Sequence, residues 1–263
     1  MNSYLALLRG SYMSGLIYRL SFVFTILGNV IYMGVSYYLW RSIYTNSTTL
    51  HGLTFDETFL YVALGSAVFI LLKTYADWII SYQIREGTIA IYLTKPVDFQ
   101  LYSLFTSLGS VLLNLTAITV PTILLLGLVF RVTPKPGLGL AFFPVSLLLA
   151  FAVSFSFDYF VGLLAFYTES TWGLGMTKDI LVAVLSGALV PLQFFPDAIQ
   201  KVLLWLPFQA IYYTPLMMVS KPDVGWETLL PMLAVQLFWA LCLPAATRLF
   251  YTQAIKVLRV SGG

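Results

Sequence analysis

The sequence predicts an all-α membrane protein with six transmembrane helices. Two observations carry that expectation. Hydrophobic residues make up 59% of the chain and charged residues 10%, with a mean hydropathy of +0.87, whereas a soluble domain carries about 25% charged residues. The apolar residues are also gathered into windows almost free of charge, and a helix needs about 20 such residues to cross the hydrocarbon core. Lipid offers a backbone no hydrogen bonds, so a helix that satisfies its own amides is the natural spanning form. The ten-residue alternation of a membrane β-barrel is missing.

The windows follow in order. Ahead of the first, the stretch YLALLRGSYMSGLIYRL mixes apolar and basic residues. Residues 1–19 are expected to form an amphipathic helix on the membrane surface, the alternative being a plain flexible terminus. No small-x-small site follows the first apolar run, so no cleavable signal peptide is expected. Residues 20–40, between Arg19 and Arg41, form the first span. Residues 58–80 form the second, apolar apart from Lys73 and Asp77. Residues 99–130 form an uncharged third span, longer than a crossing requires. Residues 136–157 form the fourth and continue to about residue 167, through Asp158. Residues 180–196 form a short fifth span, and residues 228–247 the sixth. Residues 195–227 are too apolar for a solvated outer loop. Pro196, Pro207 and Pro215 should break them into short re-entrant helices, with Trp205, Phe208, Tyr212 and Tyr213 in the aromatic belt.

Loop charges set the orientation. With the amino terminus inside, Arg9, Arg19, Arg85, Lys95, Lys178, Arg248, Lys256 and Arg259 fall on the inner side, eight in all. Arg41, Arg131, Lys135, Lys201 and Lys221, five, fall outside. The bias favours two cytoplasmic termini. Net charge is only +3 and the basic residues are dispersed, so no nucleic-acid surface is expected.

Several chemistries find no support. The chain holds no G-x-x-x-x-G-K-[ST] loop to cradle nucleotide phosphates and no H-E-x-x-H or G-x-S-x-G motif. The lone histidine, His51, falls in an outer loop, and the lone cysteine, Cys242, in an apolar run. The informative polar residues are those within or at the ends of spans: Lys73, Asp77, Asp158 and Glu169. A charge at the bilayer centre costs about 2.5–3.5 kcal/mol on insertion scales. Lys73 and Asp77, four residues apart, share a face of a continuous helix. Two readings stay open. These residues line an inward-facing cavity, or they pack as ion pairs, Lys73 with Asp77 or Asp158.

Three segments carry a family resemblance: REGTIAIYLTKPVDFQLY (85–102), GLLAFYTESTWGL (162–174) and SGALVPLQFFPDAIQKVLLWLPFQAIYYTP (186–215). They resemble the permease subunits of type-2 ABC exporters, in a bacterial branch with multidrug-type members. The resemblance implies a multi-pass protein of the bacterial inner membrane, residues 1–263 forming one permease domain. It would pair with a second permease, identical or homologous, above two ABC ATPase subunits that bind the ATP and Mg, this chain binding no cofactor itself. Residues 1–19 would be the elbow helix and residues 195–227 the outer re-entrant segment. Residues 81–100 would be the cytoplasmic coupling helix seated on the ATPase. Arg85 and Glu86 would start that helix and Pro96 end it. Arg85, Glu86, Lys95 and Asp98 would dock, with Ile89, Ile91 and Leu93 packing on the ATPase or the bilayer face. A solvated loop is the alternative. The subunits would meet through the first span, at Gly28 and Gly34, and the fifth, at Ser186, Gly187 and Ala188, where small residues allow close approach. The substrate would be amphiphilic: a lipid, a glycolipid or a drug-like molecule. A secondary transporter or channel acting alone would instead show an inverted repeat and a midplane ion site. A purely structural membrane anchor is the third class considered.

Overall fold

A computed structural model describes residues 2–257. It is built from helices, with one small hairpin among the described residues, β1 (Thr49–Leu50) and β2 (Leu53–Thr54). Five helical stretches are long and apolar enough to cross a membrane: Arg19–Asn46, Phe55–Arg85, Phe99–Phe130, Leu138–Phe166 and Trp226–Val257. The chain is an all-α membrane protein, as the composition requires.

The amino-terminal segment is a helix, α1 (Asn2–Gly15), docked along α6 (Phe99–Asn114). Gly109 of α6 makes the close approach possible, because a Cβ there would run into the Leu8 carbonyl. The hydroxyls of Ser11 and Ser110 lie 3.2 Å apart, and the Asp98 amide donates to the Tyr4 hydroxyl at 3.1 Å.

Helix α2 (Arg19–Ile43) turns most of its surface outward and packs against α3 (Phe55–Leu72). The hairpin between them turns on His51 and Gly52, both left-handed at φ 49° and 78°, as a two-residue type I′ turn requires. Thr54 then starts α3 with a capping box. Its hydroxyl accepts from the Glu57 amide at 3.3 Å, and the Glu57 carboxylate accepts from the Thr54 amide at 2.8 Å. Helix α3 is apolar on every side and lies in the core, as such helices do.

The second span is not the continuous helix expected over 58–80. Helix α3 stops at Leu72. Lys73 is extended, Tyr75 is left-handed at φ 54°, and the chain restarts as α4 (Ala76–Arg85). A break at membrane depth must satisfy the carbonyls it frees. Asn114 of α6 does this, its Nδ2 donating to the Ile70 and Lys73 carbonyls at 3.0 and 3.2 Å. After α4 come a tight turn and the short α5 (Ile89–Leu93). The third span runs through α6, a π-helical stretch Leu115–Thr119, α7 (Val120–Leu125) and a second π stretch Leu126–Phe130. Pro121 near the start of α7 cannot donate to the preceding turn, a cause of such widening.

Helix α8 (Leu138–Leu163) is the other central strut. A Cβ on Gly162 would lie 2.8 Å from the Ile80 Cβ, so the glycine sets how closely α8 meets α4. The fifth span departs from the expected 180–196. Its helix, α9 (Trp172–Leu185), has 14 residues and is about 21 Å long, short of the ~30 Å hydrocarbon core. The chain then turns inward through Gly187 at φ 79°.

Residues 195–227 form α10 (Asp197–Leu203) and α11 (Tyr213–Ser220), with breaks at Pro196 and Pro207, and then lead into the last helix. Pro215 makes no break, because it sits in the first turn of α11, where no helical amide partner is lost. Every residue of α11 is buried, mainly against α3 and α8. Tyr212 and Tyr213 therefore belong to the core rather than an aromatic belt, Phe208 is partly buried against Phe157, and Trp205 is exposed. The last helix, α12 (Trp226–Ala254), packs along α8. Gln236 locks that contact. Its amide donates to the Ser146 and Ala210 carbonyls at 2.9 and 2.8 Å and accepts from the Ser146 hydroxyl at 2.8 Å.

Candidate functional site

The break at residues 73–75 sits beside a network of interior charges. Lys178 on α9 places its ammonium 2.8 Å from Asp77 of α4 and 2.5 Å from Asp158 of α8. All three side chains are about nine-tenths buried, at 11%, 9% and 11% exposure. Thr74 donates a further hydrogen bond to Asp158 at 2.9 Å, and the Trp78 amide donates to Asp77 at 2.9 Å. Asp179 bridges outward, 3.1 Å from Lys178 and 2.6 Å from Lys73. Lys73 and Asp179 are more open, at 30% and 44%, and the Lys73 ammonium lies 5.2 Å from the Tyr75 ring centre. Gly175 adds to the close fit of α9 on α4, since a Cβ there would lie 3.2 Å from the Asp77 carboxylate. The cavity inside the network measures about 30 Å³, enough for water but far below the ~300 Å³ of ligand pockets.

This corrects the expected pairing. Lys73 meets neither Asp77 nor Asp158. The i, i+4 argument assumes one continuous helix, and the chain unwinds between the two residues, which swings Lys73 toward Asp179. The cation that Asp77 and Asp158 share is Lys178, which the loop count had placed on the inner surface. Glu169 is not interior either. It lies exposed in the turn between α8 and α9, where its carbonyl accepts from Arg85 at 3.4 Å. Sequence reasoning missed Lys178, Asp179 and Asn114. The signal for the first two was that the expected spans held two carboxylates, Asp77 and Asp158, but only one lysine, Lys73, so one carboxylate lacked a cation. Nothing marked Asn114, whose role exists only because α3 breaks.

Residues 81–100 are also rearranged. Arg85 is the last residue of α4 and Glu86 its cap, so they end one helix rather than start the next. Gly87, left-handed at φ 70°, makes the turn into α5. Ile89 is buried in this chain's own core while Ile91 is exposed, because two residues apart on a helix lie on opposite sides. The side chain of Leu93 lies outside the described residues, as does Arg259. Lys95 is exposed, its ammonium 4.7 Å above the Tyr92 ring. Asp98 is engaged within the chain. It caps α6 by accepting from the Leu101 amide at 2.9 Å and pairs with Arg248 of α12. Glu86 is exposed and has no ion pair among the described residues.

The small residues expected at a subunit contact divide. Gly28 lies open on the outer face of α2, with nothing near its Cα, and Gly34 is half-covered with similar free space. Ser186 and Gly187 are buried inside the chain, as is Ala188. The Tyr61 hydroxyl donates to the Gly187 carbonyl at 2.7 Å, and a Cβ on Gly187 would meet that hydroxyl at 2.9 Å. They allow a tight internal turn, so a second subunit cannot rest on them.

Apolar spans, one of them discontinuous, a clamped interior charge set and a short helix between two spans define a multi-pass membrane protein of the transporter kind. The family profile described as ABC-2 family transporter protein matches residues 30–262, and the chain belongs to that family. It is a type-2 ABC permease subunit: the membrane part of a transporter, working with an ABC ATPase and not itself an ATPase. No curated protein matches the chain.

The burial pattern separates the two lysines. Lys178→Ala strands two carboxylates in the interior and should cost about 3–5 kcal/mol. Lys73→Ala removes a half-exposed pair and should cost about 1 kcal/mol or less. Thermal melting of the detergent-purified chain, with its level in membranes, checks this ordering. A larger loss for Lys73→Ala would contradict it.

Proposed function

We propose that this chain is the membrane half of an ATP-driven exporter of the bacterial inner membrane, moving an amphiphilic substrate of the lipid, glycolipid or drug-like kind. The observation that carries the reading is α5. It is a five-residue helix between two spans, anchored on one side by buried Ile89 and flanked by exposed Glu86 and Lys95. A lever that passes force from an ATPase to the spans needs such a braced inner side and polar outer side. Residues 1–263 act as one permease domain, with 1–19 along the inner membrane surface, 81–100 against the ATPase and 195–227 in the outer leaflet. Helix α9 and residues 186–196 together make the sixth crossing, which puts both termini in the cytoplasm. Two ATPase subunits hold the ATP and Mg, while membrane lipids surround the spans.

A second permease, identical or homologous, pairs with this one across the outer faces of α2 and α9. Phe24, Leu27, Ile31 and Val35 are exposed along one stripe of α2, and Leu181 and Val184 along α9. With Ser186 and Gly187 buried, these apolar residues and Gly28 take over the contact.

Glu86→Lys should lower co-purification of the partner ABC ATPase severalfold at matched permease levels, because one exposed carboxylate is lost from the contact and a cation put in its place. Equal recovery with normal transport would mean that the segment is a solvated loop. Cysteines at Gly28 and Val184 should crosslink between subunits in membranes. Crosslinks confined to pairs in α6 and α7 would contradict this subunit arrangement.

A further inference from the structure

A groove of about 730 Å³ runs between α4 and α5, within the size range of small-molecule sites. The charge network does not reach into it. Tyr75, just ahead of α4, and Trp78, Ile79 and Tyr82 form one wall, the last three spaced so that they share one face of α4. All four are exposed, Trp78 at 61%. Arg85 and Lys95 close one end, with Ile91 and Tyr92 between them on the α5 side. The lining holds these two cations and no carboxylate. Arg85 spends part of its guanidinium on the Ser81 and Glu169 carbonyls, both at 3.4 Å. Gln83 also lines the groove, but its Oε1 is buried away from it.

These features have one polarity. From Tyr75 to Arg85 the wall is about 15 Å long, apolar and aromatic at one end and cationic at the other. Aromatic rings of this kind favour the membrane–water boundary, and two cations there attract anionic headgroups at about 1 kcal/mol each. An acidic protein segment would use the cations but leave the 15 Å apolar wall uncovered. We propose that this groove binds an anionic membrane phospholipid. The phosphate lies between Arg85 and Lys95, and the acyl chain lies along Trp78 and Ile79. The proposal rests on the reading above in placing the Arg85 end of α4 at the cytoplasmic boundary, and it gives Lys95 to the lipid rather than to the ATPase contact.

Brominated lipids test it, since bromine quenches tryptophan on contact. The probes are dibrominated phosphatidylglycerol and dibrominated phosphatidylcholine, added to the purified full-length permease in detergent. The Trp78 signal is the difference between the wild-type chain and Trp78→Phe. Half-quenching is expected at about a tenfold lower concentration of the glycerol lipid. In Arg85→Gln/Lys95→Gln that preference should fall below about twofold. Should the double variant fail its melting and gel-filtration controls, the exposed Lys95→Gln alone should reduce the preference about threefold. Equal quenching by the two lipids, or a preference that survives neutralisation, would overturn the proposal. So would protection of Trp78 from the glycerol lipid by added partner ATPase, which would make the groove a protein contact. Recovery of the ATPase in the pull-down without any lipid preference would sink the groove site and leave the transporter reading intact.

Discussion

The structure depends on one ammonium held between two carboxylates. Lys178 joins α9 to α4 through Asp77 and to α8 through Asp158. Three charges at this burial would each be costly alone, so none tolerates loss of its partners. The network adds to the close packing of α4 on α8 and ties in α9, which makes less contact with either. Helix α4 is cut off from α3 by the unwound residues 73–75, and α9 is too short to be fixed by length alone. Buried ion pairs contribute little net stability compared with apolar packing, but they fix register, because a displaced partner leaves a bare charge.

The same contacts link α5 to the spans. Ile89 fixes α5 to the core, α5 joins α4 through the Gly87 turn, and α4 carries Asp77 into the network. Lys178 and Asp179 lie midway along α9, and Asp179 reaches back to Lys73 at the start of the break. Asn114 allows the break to exist without unpaired carbonyls. The strain is local, in Tyr75, the one residue of the break with positive φ.

Much of the fold was legible because lipid imposes a simple rule. Uncharged windows near the right length became helices, and the flanking charges marked their ends. The amphipathic reading of the terminus anticipated a helix, though not that Gly109 would let it lie on α6. What the sequence concealed were the interruptions. No proline or glycine stands at 73–75, so the break reads as a continuous apolar helix with two charges. The i, i+4 pairing of Lys73 with Asp77 failed for that single reason. The fifth span was drawn to begin after Lys178 and Asp179, because adjacent charges look like a loop when their partners are distant in sequence. Ser186 and Gly187 looked like a contact surface for another helix, whereas the positive φ of Gly187 shows a turn packed against Tyr61. Small residues allow close approach, but the sequence does not say to what.

The clamp is tested most directly by a double-mutant cycle on Lys178 and Asp158, with Lys178→Met and Asp158→Asn as the single changes. Unfolding free energies of the purified chain would be measured for all four proteins. If the ammonium joins α9 to α8 as the structure shows, the two changes are strongly non-additive. A coupling of about 1–3 kcal/mol is then required, with the double variant more stable than the sum of the two losses allows. Losses that add to within about 0.5 kcal/mol would mean that the two groups do not depend on each other, and that the helices are held by apolar packing alone.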